Sequence, residues 1–248
     1  MEQVVKKNLH PIFAQIYGLN KSWTKKIIVG LEYTDGEAAK FEPIVRICDK
    51  NAQGIKIKLE EWILFKSMFQ NISKYFNGEC DSLQDSEYHG SSWRMKFTFS
   101  YRERAISIQE MLNNTHRPCG VMLTPKFEHN IVMKKVTFDT MNEHIVKLVD
   151  QHLEELQRIA DAASMMVPKV CDHIKLEASM ENDSQIQEFN SIQVKKYTET
   201  FTDEKANKLQ KNLQDEGYTL SSKKIYRLFF EIVSLHTDFV AYLINLKN

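Results

Sequence analysis

The first quarter of the chain carries short apolar, β-branched runs that give way to apolar residues at helical spacing. The runs at 27–33 and 44–48 predict β-strands, and the Asp-Gly pair at 35–36 predicts a tight turn between them. A third strand at 55–59 leads into a stretch whose large apolar residues recur every three or four positions, beginning with Trp62. This pattern predicts an antiparallel meander that ends in an amphipathic helix.

The most regular alternation in the chain lies at 93–102. Its odd positions are aromatic residues or methionine, and its even positions are basic or hydroxylic. Because alternate side chains of a strand point to opposite faces, one face should pack in a core and the other should meet solvent. Rings and cations on one strand would also suit a nucleic acid. We interpret the aromatic face as core, with the basic face still able to contact phosphates.

The remaining pattern completes an α+β fold. Predicted strands lie at 105–108, 120–123, 131–138, 174–178 and 192–201. Predicted helices run from Thr140 to about Met165, with Pro168 as the stop, and then cover 203–214 and 225–246. The polar stretch 77–92 predicts a loop or linker. We therefore expect two or three repeated units, each an antiparallel meander followed by an amphipathic helix, divided as 1–92, 93–167 and 168–248.

An internal repeat underlies that division. The stretch Gly54–Trp62 aligns without a gap on Gly217–Ile225, and the helical apolar positions that follow stay in register. A looser third copy begins at 135–139. A strand–helix joint that recurs at long intervals predicts copies of one structural unit. The alternative is that any strand running into an amphipathic helix gives the same pattern.

The closing helix at 225–246 is apolar around most of its circumference and so needs cover on several sides. It is either the central helix of a core or the contact with a second copy of the chain. In both cases we expect it to make the main helix–helix contact. The residues that would form this contact are Leu228, Ile232, Leu235 and Phe239.

Composition limits the partners. In 248 residues Lys+Arg and Asp+Glu balance at 33 each, so a nucleic-acid partner would need a local basic face. Four widely spread cysteines without a C-x-x-C pair predict a reducing, intracellular location, nuclear or cytoplasmic. Charged residues interrupt the apolar C-terminal stretch, and the first residues lack an apolar run. We therefore expect neither a membrane span nor a signal peptide.

Motifs of enzyme chemistry are missing from the sequence. There is no phosphate-binding glycine loop, no H-E-x-x-H and no G-x-S-x-G. The eight histidines are scattered, and those near 143–154 fall on a predicted helix surface. We expect no catalytic residue, no metal and no cofactor, although a Cys–His pair assembled by the fold stays open.

The joint at 54–62 resembles that of the positive cofactor four (Sub-one) family of transcriptional coactivators, whose motif has the form G-I-S-L-N-P-E-Q-W. The resemblance covers about residues 26–76, with a fainter echo at 217–240 where Ile225 replaces the tryptophan. Lys58 and Leu59 stand where the family has Asn-Pro. The matching residues are Gly54, Ile55, Ile57, Glu60 and Trp62.

The resemblance implies a curved four-stranded sheet followed by one helix, without a catalytic residue. Such a module binds single-stranded or melted nucleic acid on its concave sheet and dimerises through its helices. Trp62 takes the position of the family's tryptophan that stacks near the bound strand, and Lys56 and Lys58 lie on the strand just before it.

The candidate residues for single-stranded DNA or RNA combine cations for phosphates with rings for bases. Trp62 could instead be a core anchor, and Trp23, which lies among three lysines, could instead belong to an ordinary exposed strand end. The candidates are Trp23, Lys25, Lys26, Arg46, Lys56, Lys58, Trp62, Arg94, Lys96, Arg102 and Arg104.

Two functional hypotheses follow. The first is a non-enzymatic, sequence-tolerant single-stranded nucleic-acid-binding protein, acting in transcription or replication, whose fused units form a pseudo-dimer or a homodimer. The second is a structural or scaffolding protein of a viral or other assembly, which the neutral charge favours. An enzyme with an unmarked site is a third class. Steep dependence of oligonucleotide affinity on salt would separate the first hypothesis from the second.

Overall fold

The computed structural model describes residues 11–34, 40–51, 54–111, 127–180, 191–215 and 217–246. These residues form two four-stranded antiparallel sheets and several helices, so the predicted α+β fold class is confirmed. Each sheet has its strands in sequence order, as expected for a meander. The helix after each sheet begins at the residue that follows the last strand.

Sheet 1 contains β1 (Ile12–Gly18), β2 (Lys25–Thr34), β3 (Lys40–Asp49) and β4 (Gly54–Lys58), and α1 (Leu59–Ser67) and α2 (Phe69–Asn77) follow it. Sheet 2 contains β5 (Glu87–His89), β6 (Trp93–Ser100), β7 (Glu103–Met111) and β8 (Phe127–Lys134). The later helices are α3 (Lys135–Thr140), α4 (Val146–Met180), α5 (Ser191–Thr198), α6 (Asp203–Asp215) and α7 (Ser222–Leu246). A π-helical turn at Met141–Ile145 joins α3 to α4.

The two sheets end in the same way, which gives the chain a repeat-like arrangement. In sheet 1 the last strand residue is Lys58, opposite Ile44, and in sheet 2 it is Lys134, opposite Ala105. The next same-face pairs are Arg46 with Lys56 in sheet 1 and Ser107 with Val132 in sheet 2. The helix begins one residue after the last strand residue in both sheets. The two joints are therefore equivalent, and each buries the fourth residue of its helix, Trp62 or Phe138.

The repeat does not extend to the copy predicted at 217–225. Gly217 lies in a turn, the next four residues form no strand, and α7 begins at Ser222. The looser copy at 135–139 lies close to the observed one, but its residues form the first turn of α3 and β8 ends at Lys134. In a sequence, an apolar residue three positions into a helix cannot be told from the last apolar residue of a strand. This explains why the copies predicted at 217–225 and at 135–139 were both misplaced.

The chain divides into two compact units. The first, here called the sheet unit, comprises Ala14–Gly30 and Pro43–Glu154. The second, the helical unit, comprises Met1–Phe13, Leu31–Glu42 and Glu155–Asn248.

Aromatic rings from α1, α2 and α3 fill the core of the sheet unit. The Phe65 ring meets the Trp93 ring of β6 edge-on, with centroids 5.4 Å apart, and the Phe69 ring meets the Phe138 ring of α3 at 5.3 Å. Trp62, Phe65 and Trp93 are fully buried. Burying each such side chain contributes about 1.5–3 kcal/mol, and the edge-to-face pairs add about 0.5–1.5 kcal/mol. Residues from both repeats therefore share one core.

A buried carboxylate ties α1 to the segment before β6. Glu61 Oε1 accepts hydrogen bonds from Ser91 N (2.6 Å), Ser91 Oγ (2.7 Å) and Ser92 N (3.0 Å), and Glu61 Oε2 accepts one from Ser92 Oγ (2.7 Å). A Cβ on Gly90 would lie 2.9 Å from Glu61 Oε1 and 2.4 Å from Trp93 Nε1, so only glycine fits there. Burial raises the pKa of Glu61, but the hydrogen bonds from Ser91 and Ser92 together lower it below its usual value.

The core of the helical unit is built on α7. The Phe229 ring stacks on the Phe201 ring with centroids 3.7 Å apart and planes 3° apart, and His173 of α4 meets both rings edge-on. Leu228 and Ile232 are each 1% exposed. These two residues of the predicted contact therefore lie inside the chain's own core. The side chains of Leu235 and Phe239 lie outside the described part of the structure.

Two predicted strands are wrong, because both segments are helical. Residues 174–178 belong to α4, where Ile174 and Ala178 are buried while Leu176 is 52% exposed. Residues 192–201 include α5, where Val194 and Thr198 are buried while Ile192 is exposed. Burial at positions four apart is the helical period, and the shorter alternating pattern concealed it.

Other helix and strand boundaries differ from those that the sequence predicts. Pro168 lies inside α4 and does not stop it, and the helix predicted to start at Thr140 begins at Lys135. The stretch 77–92, predicted as a linker, contains β5. Strand 105–108 lies within β7, and the helix predicted at 203–214 is confirmed as α6. The strand predicted at 120–123 lies outside the described residues.

Glu61→Gln should destabilise the protein at pH 7 by about 1–3 kcal/mol, because four hydrogen bonds lose their charged acceptor. The wild-type pKa of Glu61 is lower in the folded chain than in the unfolded chain. Its contribution is therefore complete above the unfolded pKa of about 4.3 and is lost as the pH falls through the folded pKa. Urea unfolding of both proteins from pH 7 to pH 3 measures this, and their stability difference should shrink toward acid. Glu60→Gln, at the exposed neighbour, is the control and should change little.

Leu228→Asp with Ile232→Asp should unfold the helical unit, because two charges would enter a core where each residue is 1% exposed. We expect a loss on the order of 3 kcal/mol or more. Thermal melting and size-exclusion chromatography would record it. Lys223→Asp, at an exposed position of the same helix, should melt like the wild type. A double variant with wild-type melting and size would contradict the core position of α7.

Candidate nucleic-acid interface

The predicted cations of sheet 1 lie on neighbouring strands. Lys56 of β4 is directly opposite Arg46 of β3, and Lys58 lies one same-face step further along β4. Ile55 and Ile57 are fully buried, so the pleat directs both lysines to the opposite face. Lys58 is exposed, whereas Lys56 and Arg46 are half-buried. We call these three residues the basic row.

The face that carries the basic row is less open than expected. Ile44 is 1% exposed and Cys48 is fully buried, and both lie on this face at the ends of the row. Burial raises the pKa of the Cys48 thiol to about 11, although the positive charges of Arg46 and Lys26 lower it. The charges of Lys26 on β2 and Arg46 on β3 therefore both act on the Cys48 thiol.

Trp62 does not reach this face. Its ring is fully buried, and its Nε1 donates a hydrogen bond to Asp150 Oδ1 at 2.9 Å. The other oxygen of Asp150 lies 2.7 Å from Lys66 Nζ in an ion pair. Trp62 is thus a core anchor between α1 and α4, which was the alternative interpretation. A base cannot stack on a ring with no exposed surface, so the role taken from the resemblance does not fit this conformation.

The loop between β1 and β2 (Leu19–Thr24, the β1–β2 loop) presents the first exposed aromatic ring. Trp23 is 55% exposed and has a left-handed backbone, with φ 54°. The loop is braced by Asn20, whose Oδ1 accepts from Thr24 N (3.0 Å) and whose Nδ2 donates to Thr24 Oγ1 (2.8 Å). Lys21 is exposed, and Lys25 and Lys26 follow half-buried at the start of β2. Trp23 is thus exposed, with lysines on both sides of it in the sequence, which fits both interpretations of this segment.

The predicted cations of sheet 2 lie beside carboxylates. Arg94 Nη1 is 3.2 Å from Glu87 Oε2, and Lys96 Nζ is 3.8 Å from both Asp85 Oδ1 and Glu87 Oε1. Arg104 Nη2 pairs with Asp81 Oδ1 at 2.5 Å. These ion pairs reduce the positive potential that the alternation at 93–102 suggested. Of the predicted cations of this sheet, Arg102 is the exception, because it is exposed in the turn after β6.

The aromatic face of β6 is only partly core. Trp93, Met95 and Phe97 are fully buried, which confirms the core interpretation for them. Phe99 is 53% exposed and Tyr101 is 92% exposed, so the face leaves the core toward its end. The sequence assigned both residues to the core because the alternation continues unbroken. The signal that could have separated them is the polar Ser-Tyr-Arg-Glu sequence between β6 and β7.

Alkylation would show how closed the face of the basic row is. With a pKa of about 11, only roughly one Cys48 thiol in a thousand is ionised at pH 8. We expect iodoacetamide to modify half-exposed Cys80 first and buried Cys48 only on unfolding. Peptide mass spectrometry after timed alkylation measures both sites. Rapid modification of Cys48 in the folded protein would mean that this face opens in solution.

The described residues contain neither a metal-site cluster nor a helix that could span a membrane. In the described part of the chain no three His, Cys, Asp or Glu side chains are grouped as a metal site would need. Within the same segments every helix is too short or too polar to span a lipid bilayer. The chain matches no model of a known protein family and no curated protein significantly.

Proposed function

We propose that this protein binds single-stranded nucleic acid without enzymatic chemistry and with little sequence preference. The observation that carries the proposal is the β1–β2 loop, where an exposed indole ring has Lys21, Lys25 and Lys26 near it in the sequence. Single strands are held by this combination, because every base has a face for stacking and every nucleotide has a phosphate. The resemblance of the joint at 54–62 points to the same class of ligand.

The basic row would extend this contact along sheet 1. In an antiparallel meander the start of β2 lies at the same end of the sheet as the β3–β4 turn, so a strand leaving Trp23 would pass Lys26 and reach Arg46 and Lys56. Lys58 would continue the path toward α1. The positive charges of Lys26 and Arg46 both act on the Cys48 thiol, which supports this order. The row would supply phosphate contacts, and Trp23 would supply the stacking ring.

The repeat would give the protein two related sheets in one chain. The matching strand-to-helix joints of the two sheets support a pseudo-dimer, which would need no second copy to present two sheets. Sheet 1 would be the main surface, because the exposed Trp23 ring lies in its β1–β2 loop. The free thiols of Cys48, Cys80 and Cys171 are consistent with a reducing, intracellular location in the nucleus or cytoplasm.

A scaffolding role is the second candidate. Two observations favour it, namely the buried Ile44 and Cys48 on the face of the basic row and the ion pairs of Arg94, Lys96 and Arg104. Such a surface would suit packing against protein, and the balanced charge would aid assembly. It predicts no affinity for oligonucleotides at low salt.

The deciding experiment is fluorescence anisotropy with a labelled thirty-nucleotide single strand of mixed sequence, at several salt concentrations. Lys56→Ala with Lys58→Ala should weaken binding and lower the slope of log affinity against log salt by about 1–1.5, because two phosphate contacts are lost. Folding should be unchanged, since neither lysine is buried. Lys147→Ala, at an exposed helical lysine of the same unit, is the control for loss of charge.

The outcomes separate the two candidates. A wild-type protein that does not bind the strand at low salt contradicts the proposed function and favours the scaffold. A double variant with unchanged affinity and unchanged salt slope excludes the basic row as the contact surface.

A further inference from the structure

The turn between β6 and β7 adopts a backbone that its residues disfavour. Ser100 and Glu103 are paired across the hairpin, so the turn (Ser100–Glu103, the β6–β7 tip) has two central residues, Tyr101 and Arg102. Both have positive φ, at 52° and 65°. A two-residue hairpin of this kind strongly favours Asn-Gly, because side chains with a Cβ are strained in the left-handed region. Tyr-Arg at these positions therefore costs stability.

The fold gives the side chains at the tip little packing in return. Tyr101 is 92% exposed, and Arg102 is exposed and makes no ion pair or side-chain hydrogen bond with another described residue. Phe99 is 53% exposed beside them. Strained residues with little packing cluster at ligand-binding and switch regions, which points to a ligand here. The two-residue turn also fixes the ring at a definite place on a rigid hairpin.

Charge around the tip indicates the kind of ligand. Lys134 Nζ lies 5.7 Å from the centre of the Tyr101 ring, where the cation occupies one side of the ring. Lys134 is also paired with Glu103 Oε2 at 2.6 Å, which leaves Arg102 as the cation available at the tip. An aromatic ring next to an unpaired guanidinium complements a base and its phosphate. An apolar pocket of a partner protein would not complement the charge of Arg102.

We propose that the β6–β7 tip is a second contact for single-stranded nucleic acid, in which Tyr101 stacks on an unpaired base and Arg102 binds the adjacent phosphate. This inference rests on the proposed function but uses a different sheet from the basic row. It implies that the bound single strand is long enough to contact more than one hairpin. It also assigns a role to Tyr101, which the sequence placed in the core.

The test replaces the strained pair by the pair that the turn favours. Tyr101→Asn with Arg102→Gly should raise the melting temperature, because strain is relieved. The same change should weaken binding of the thirty-nucleotide strand about 5- to 150-fold through lost stacking and lower the salt slope by about 0.7 through one lost phosphate contact. Tyr101→Phe keeps the ring and should bind within about twofold of the wild type. Lys147→Ala again serves as the charge control.

The results distinguish this inference from the function on which it rests. If Tyr101→Asn with Arg102→Gly binds like the wild type while Lys56→Ala with Lys58→Ala binds weakly, the tip is not a contact and the proposed function stands. If the wild type does not bind the strand at all, both are overturned. A lower melting temperature of the Asn-Gly variant would contradict the strain argument, and weak binding by Tyr101→Phe would contradict stacking.

Discussion

The structure depends on one constraint, the absence of any loop between the last strand of each sheet and the helix that follows. Because Lys58 is followed directly by Leu59, the direction in which α1 buries Trp62 also decides which face of β4 is buried. Ile55 and Ile57 must then point inward and Lys56 and Lys58 outward. The same constraint at Lys134 and Lys135 orients β8. Each joint thus determines which side chains of the strand enter the core and which side chains the outer face carries.

The shared core gives the outer surfaces their stability. Rings from both repeats meet at Phe65 with Trp93 and at Phe69 with Phe138, and Asp150 joins Trp62 to α4 by a hydrogen bond. Glu61 secures the segment before β6 through Ser91 and Ser92. With the core fixed in this way, the hairpin ends can tolerate strained residues. Of the five non-glycine residues with positive φ in the described part of the chain, Trp23, Tyr101 and Arg102 are exposed at such ends.

The position of the candidate contacts follows from this division. Apart from exposed Lys58, the predicted cations on the strand faces are half-buried or paired with acids, so they can position a polyanion only in part. The hairpin ends hold rings that are more than half exposed. A ligand that needs both stacking and charge would therefore lie across strand faces and hairpin ends together.

The sequence by itself determined the antiparallel meanders, the joint at 54–62 and the alternation of Ile55, Lys56, Ile57 and Lys58, because these depend on local periods and turn residues. It could not determine that Trp62 is buried and Tyr101 exposed, since both are aromatic residues at regular positions in their patterns. It also could not separate strand from helix at 174–178, where Ile174 and Ala178 fit both periods and Leu176 fits only that of a strand. Only the tertiary structure decided these cases, because burial depends on which distant element covers a position. The pairing of Arg94 and Lys96 with carboxylates from outside β6 was decided in the same way.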